Sequence, residues 1–466
     1  MKQWKWYKYI RPYLPYFICG PICMIVEVVG EVVMPKLLSV VINRANAGTL
    51  TVAGSLWTML LMIAVALLMM AGGIGGAWFG AKASVNFAAD LRSDVYAKVQ
   101  RFSFANIDKF STGSLVTRLT NDVSQLQTFV NMLLRMALRA PGMMIAALIM
   151  AILMRPSLSV VFAVSIPVML AVIGVIISKG FPRFSAMQEK IDGLNSTVQE
   201  NITNVRVVKS FVREDHEIGK FSRANRDLKG AGIRAMRVMI FMQPITTLFM
   251  NITVLVVLLL GGRIVLSGDM PVGDLSAFVT YVTQILSSLM MVTMLLMFSS
   301  RALASARRIR EVLDEPIDLD DTDAVQPERT VTEGTVEFRD VCYRYYKHNE
   351  ERVLDHINLT IPAGSTVGII GSTGCGKSTL IALISRLYDV DSGEVLVDGV
   401  DVRDYSLRHL RDGVGVVLQK NTLFSGTISE NLRWGDENAT DEELRRAADY
   451  AQADKFITTF PDGYDT

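Results

Sequence analysis

The chain has 466 residues, with 47 basic side chains against 46 acidic ones and a net charge of +1. Half of the residues are hydrophobic, only 20% are charged, and the mean hydropathy is +0.32. This mixture excludes a disordered or collagen-like chain and fits a plain soluble enzyme poorly, and the balanced charge provides no field that would favour nucleic acid. A membrane protein with a soluble appendage is the class that remains, and the length allows about two to four domains.

In chain order, a charged, aromatic leader (Lys2, Trp4, Lys5, Trp6, Tyr7, Lys8, Tyr9, Arg11) precedes an apolar segment over residues 13–43, interrupted by Glu27, Glu31 and Lys36. That segment runs far beyond a signal-peptide core and has no small-residue cleavage pattern, so it is read as retained. Residues 56–81 carry no Asp, Glu, Lys or Arg. Residues 129–154 are apolar except for Arg135 and Arg139, and 156–178, 238–262 and 275–300 are again uncharged. Runs above ~20 apolar residues are long enough to cross ~30 Å of hydrocarbon, which predicts six membrane helices. The leader and the stretches 82–122 and 179–237 are rich in Lys and Arg, whereas the short loops between are poor in them. The positive-inside rule therefore places the N-terminus and both long stretches in the cytoplasm, and six crossings return the C-terminal region to the same side. Residues 106–126 and 191–221 keep apolar residues at three- and four-residue spacing, the pattern of membrane helices that continue into the cytoplasm and are joined by a short turn.

Several intramembrane features admit more than one reading. Glu27 and Glu31 in the first segment and Arg135 and Arg139 in the third lie at overlapping depths, roughly 18–28 Å from the outer ends at 1.5 Å per residue. They can pair with one another, line a water-filled cavity for cationic cargo, or lie on the cytoplasmic side outside the bilayer. Gly72, Gly73, Gly75 and Gly76 allow either close helix contact or a bend. Met290, Met291, Met294 and Met297 form a helical stripe that suits either ordinary packing or a wall accepting varied apolar ligands. Four cysteines make no disulfide scaffold, and nothing requires Cys19, Cys23, Cys342 and Cys375 to pair.

After residue 300 the hydropathy falls, through a basic stretch (301–311) into an acidic, proline-containing linker (314–323). From Gly334 short apolar runs alternate with turn signals, as expected for strands followed by helices. The informative segment is 366–384, TVGIIGSTGCGKSTLIALI. A β-branched run, 367–370, predicted as a strand, leads into Gly371, Ser372, Thr373, Gly374, Cys375, Gly376, Lys377, Ser378 and Thr379, and an apolar helical run follows. Glycines let the chain turn tightly enough for successive backbone N–H groups to face one anion, and the helix starting at Lys377 adds its positive end. Lys377 supplies a mobile charge for β- and γ-phosphates, and the Ser378 hydroxyl is placed to ligate Mg²⁺. ATP with Mg²⁺ is the ligand this pattern predicts.

With these residues in place, the sequence resembles the exporter-type ABC transporters over nearly its whole length. The segments VCYRYYKHNEERVLDHINLTIPAGS, the phosphate loop and SGEVLVDGVDVRDYSLRHLRDGVGVVLQKNTLFSGTISENL carry the likeness. The resemblance implies an all-α six-helix transmembrane domain (1–310), an acidic linker (311–333) and a partial α/β P-loop nucleotide-binding domain (334–466). It implies that Tyr345 stacks on adenine, that Gln419 reaches Mg²⁺ and the attacking water, and that Lys377 and Gln419 serve catalysis. It also places coupling elements at 206–211 and 110–121. A second half-transporter subunit, identical or related, a bilayer, and hydrophobic or amphipathic cargo are implied as partners, with no nucleic acid, in the plasma membrane of a bacterium. An ATP-binding regulatory subunit without transport of its own, or a peptide exporter or importer, would share this architecture. The family's signature segment, second acidic strand end and switch histidine do not occur by residue 466, and His216, His348, His356 and His409 do not match the last of these. The expectation is that the chain is part of a longer subunit and binds nucleotide without hydrolysing it.

Overall fold

Six helices dominate the computed structural model, which describes residues 6–321, 324–345, 351–418 and 422–466, with only the backbone of Met297. They span Tyr7–Asn46, Val52–Gln100, Thr112–Met154, Pro156–Thr203, Glu214–Leu266 and Val272–Asp314. At 40–53 residues each, these rods are about 60–80 Å long, roughly twice the hydrocarbon thickness. Their most apolar windows are only 6–35% buried within the chain, so the remaining apolar surface faces lipid or a further protein. The surplus length is the extension predicted over 106–126 and 191–221. Short helices, Phe104–Phe110 and Val205–Ser210, connect the rods there. The second lies where the sequence placed it. The first precedes the expected 110–121, which instead joins the third rod as its opening turns.

The chain divides into two units, Met1–Phe102 with Asn106–Pro316, and Ser103–Ala105 with Ile317–Thr466. In the first, the sixth span supplies the centre of the core. Phe278, Tyr281, Val282 and Ile285 are fully buried among Val28 and Val32 of the first span, Ala147 and Ala151 of the third, Phe162 of the fourth and Val257 of the fifth. The Tyr281 hydroxyl donates to Val32 O at 2.8 Å, which satisfies a polar group that has no water to turn to.

The glycine cluster is a close contact, not a bend. The second span is one continuous helix, and a Cβ on Gly72 would lie 2.8 Å from Cys23 O, on the backbone of the first span. A Cβ on Gly76 would lie 2.1 Å from the flexible tip of Met24, whereas Gly73 has 3.6 Å to its nearest neighbour. Of the four intramembrane charges, three are paired: Arg139 Nη2 lies 3.1 Å from Glu27 Oε1 and 3.2 Å from Glu31 Oε2. Both carboxylates that a cationic cargo would need are thereby engaged by one guanidinium. Of the methionine stripe, Met290 packs against the core, Met291 lines a cavity of about 150 Å³ and Met294 is exposed. All four cysteines are free thiols.

In the extended part of the third rod, Arg118–Asp122 is wound as a π-helix. The wider turn carries Asp122, whose side chain is 3% exposed, to the sixth rod, where it accepts from Ser305 Oγ at 2.9 Å and Arg308 Nε at 2.8 Å. Arg118 adds an ion pair to Glu311 at 3.1 Å.

The second unit contains a four-stranded antiparallel sheet, β1 (Val336–Tyr343), β2 (Leu354–Ile361), β3 (Ser392–Val397) and β4 (Val400–Asp401), in the order β2-β1-β3-β4. Its inner face (Phe338, Val341, Val395, Val397) packs on Leu380 and Leu383 of helix Lys377–Ile384 and on Tyr405 and Leu410. Asp398 and Gly399, both at positive φ, form the two-residue turn between β3 and β4. Burial pushes the Asp398 carboxyl up, but backbone N–H groups of Thr332, Glu333, Thr335 and Gly334 outweigh it and hold the pKa down at about 2. The strand predicted over 367–370 is absent. A β-branched run becomes a strand only beside a neighbour that completes its ladder. Among the described residues none lies alongside, and Ile370 is left 98% exposed.

Candidate functional site

The phosphate loop is built as its residue types require. Gly374 and Gly376 have φ of 90° and 89°, a region open to glycine and strained for other residues. A Cβ on Gly376 would also lie 2.9 Å from Leu354 Cδ2, so glycine is needed there for close packing against β2 as well. Gly376 is the N-cap of helix Lys377–Ile384, and no side chain caps that end. The first-turn N–H groups and the positive end of the helix therefore face the loop, an arrangement that suits an anion.

Lys377 Nζ donates to Gly371 O at 3.0 Å and Ser372 O at 2.7 Å, which holds the ammonium at the mouth of the loop. Cys375 Sγ lies 3.5 Å from that ammonium and is exposed. Ser372, Thr373 and Ser378 are exposed too, so the Ser378 hydroxyl is free to reach a cation beside a bound phosphate. A Cβ on Gly374 would meet nothing, so space lies open over the loop. The residues present thus fit a magnesium-bound triphosphate. Thr379 faces inward instead, and its Oγ1 lies 2.8 Å from the Tyr345 hydroxyl.

That hydrogen bond brings Tyr345, 34 residues away in sequence, to the loop helix. Its ring is 42% exposed and is met edge-on by Tyr343 at 5.1 Å and Tyr388 at 5.3 Å. Sequence reasoning did not single out Tyr343, Tyr388 or the Thr379 contact; three tyrosines on separate segments carry no spacing signal. Gln419 lies outside the described residues.

Comparison with known proteins agrees with this architecture. The family described as ABC transporter transmembrane region matches residues 17–289, and the family described as ABC transporter matches residues 354–464. An uncharacterized ABC transporter ATP-binding protein of Bacillus subtilis is 34% identical over 465 residues, 98% of this chain and 79% of the relative. One from Mycobacterium tuberculosis is 36% identical over 466 residues with the same coverage. A fatty acid ABC transporter ATP-binding/permease protein of Mycobacterium bovis is 33% identical over 376 residues, 81% of this chain and 59% of the relative. With six membrane-length helices followed by a phosphate-loop unit, the chain belongs to the ABC transporters, as an exporter-type half-transporter of a family whose ATPase and translocase activity is that of the full-length dimer.

Proposed function

We propose that the protein is one half of an exporter that uses ATP to move hydrophobic or amphipathic small molecules out of the cytoplasm. In this reading the N-terminus and the ATP-binding domain (334–466) are cytoplasmic, and the membrane domain (1–310) follows the orientation set by its basic loops. The observation that carries the proposal is an uncapped, glycine-led loop at a helix tip on the same chain as six membrane-length helices. Bound ATP supplies the phosphoryl group that passes to water. Lys377 neutralises charge on the β- and γ-phosphates, and the amides of 371–379 fix their position. Ser378 and Gln419 hold Mg²⁺, and Tyr345 orients the adenine.

A cavity of about 730 Å³ among the first three spans supports amphipathic cargo, because it combines Met24, Met132 and Met136 with the polar Asn131 and Arg135. The relative named for fatty acid transport points the same way. A second subunit is supported by the hairpin of the fourth and fifth rods. No residue in 181–230 is buried, although Phe181, Phe211 and Val212 are each more than 70% exposed. The test is ATP-dependent accumulation of a fluorescent amphiphile in inverted vesicles. Accumulation with the native protein and none with Lys377→Ala is the expected result. Nucleotide binding without accumulation of any amphiphile would replace export by a regulatory role.

A further inference from the structure

The hairpin of β1 and β2 carries a cluster of side chains that neither the phosphate loop nor the spans use. Bulges offset both strands, and Asp340 and His356 adopt positive φ, 51° and 50°, beside them. The offset gathers Cys342 from β1 with Asp355 and His356 from β2, and their ligand atoms (Sγ, a carboxylate oxygen and a ring nitrogen) all lie within 4.8 Å of one another.

We propose that Cys342, Asp355 and His356 form a binding site for a borderline-soft divalent cation of the zinc type. Two of the separations are directly informative. Cys342 Sγ is 3.8 Å from Asp355 Oδ1, and His356 Nε2 is 3.9 Å from the same oxygen. Tetrahedral zinc with thiolate, imidazole and carboxylate ligands sets such atoms about 3.3–3.7 Å apart, so these two pairs close by a few tenths of an ångström, and the third, within 4.8 Å, closes by rotation of the exposed His356 and Asp355 side chains. A sulfur, a nitrogen and an oxygen are a donor set for zinc or cobalt rather than for calcium or magnesium.

The surroundings are those of a metal ligand set. Asp340 Oδ1 lies 2.6 Å from His356 Nδ1, a contact that puts the proton on Nδ1 and leaves the Nε2 lone pair toward Cys342 and Asp355. The backbone N–H of His356 donates to Cys342 Sγ at 3.3 Å. A cationic nitrogen already stands where the three donors converge. Arg352 Nη1 lies 3.3 Å from Cys342 Sγ, 2.7 Å from Asp355 Oδ1 and 3.4 Å from His356 Nε2. The metal exchanges with this guanidinium, whose position also marks an open path to the sulfur of the otherwise buried Cys342. Competition with Arg352 makes the site a reversible one, with water in the fourth position. It fastens β1 to β2 next to the segment that presents Tyr345.

The test uses the purified, reduced and chelator-washed protein carrying Cys375→Ser, which removes the exposed loop thiol, titrated with Co²⁺. A near-ultraviolet thiolate-to-cobalt band that saturates at one equivalent and is displaced by Zn²⁺ is expected. Cys342→Ser abolishes the band, Asp340→Asn weakens affinity about tenfold or more, and Arg352→Ala tightens it. Should Cys342→Ser disturb folding, His356→Gln, an exposed change on the opposite strand, must weaken the band by a similar factor. Absence of a thiolate band at saturating cobalt, survival of the band in Cys342→Ser, or affinity unchanged by both His356→Gln and Arg352→Ala would overturn the assignment.

Discussion

Asp398 offers the most quantitative test of how the nucleotide-binding unit is held together. Its carboxylate accepts from four consecutive backbone N–H groups, Thr332 at 2.7 Å, Glu333 at 3.0 Å, Gly334 at 2.7 Å and Thr335 at 2.9 Å, and so fastens the approach to β1 onto the turn between β3 and β4. A pKa of about 2 in place of 3.8 corresponds at neutral pH to about 2.5 kcal/mol, which the partial exposure of this turn reduces to about 1–2 kcal/mol. Asp398→Asn keeps the turn conformation and the size of the side chain but removes the charge. Amide hydrogen exchange of residues 332–335, corrected for intrinsic rates, should accelerate about 5–30-fold at neutral pH. Because the folded carboxyl is depressed, its contribution is complete above the unfolded value near pH 4 and is lost as pH falls through about 2. The native protein should therefore lose protection at 332–335 between pH 4 and pH 2, and the Asn variant should not. Equal exchange in the two proteins at neutral pH, or the same loss on acidification, would refute the reasoning.

Three further outcomes follow from the described contacts. Gly72→Ala should destabilise the protein by about 1–3 kcal/mol, because the new methyl group meets a backbone carbonyl. Gly73→Ala, next in sequence, should be close to neutral, and melting midpoints in detergent compare the two. Arg139→Gln should lower the melting midpoint more than Glu27→Gln or Glu31→Gln alone, since it leaves two carboxylates unpaired whereas each single glutamate change leaves one pair intact. Alkylation of Cys375, exposed in the loop, should block nucleotide binding, and ATP should slow the modification; intact-mass measurement with a nucleotide-binding assay reads both.

The features legible from sequence are those in which one physical constraint acts along the chain. Bilayer thickness sets the length of an apolar run, so six spans could be counted directly, even where Glu27 or Arg135 interrupts them. The φ values demanded at Gly374 and Gly376 likewise leave a local mark, and the loop lies where the pattern placed it. What was not legible depends on neighbours distant in sequence. The run at 367–370 has the composition of a strand, but strand formation is decided by a partner. Depth along a helix brought Arg135 and Arg139 equally near the glutamates, and only the rotation of the third rod about its axis selects Arg139. The same rotational phase makes Gly72 indispensable and Gly73 replaceable. The bulges that gather Cys342 and His356 are invisible in one dimension for the same reason.

The joint between the third and sixth rods has a mechanical consequence. Asp122 is enclosed, bonded to both Ser305 and Arg308, and flanked by the Arg118–Glu311 pair. Separating these two rods would leave the enclosed Asp122 carboxylate without its partners, so the two are expected to move as one unit. Rearrangement of the membrane domain is then expected to hinge elsewhere, and the arm formed by the fourth and fifth rods, with no residue buried within this chain from 181 to 230, would move together with the subunit that covers it.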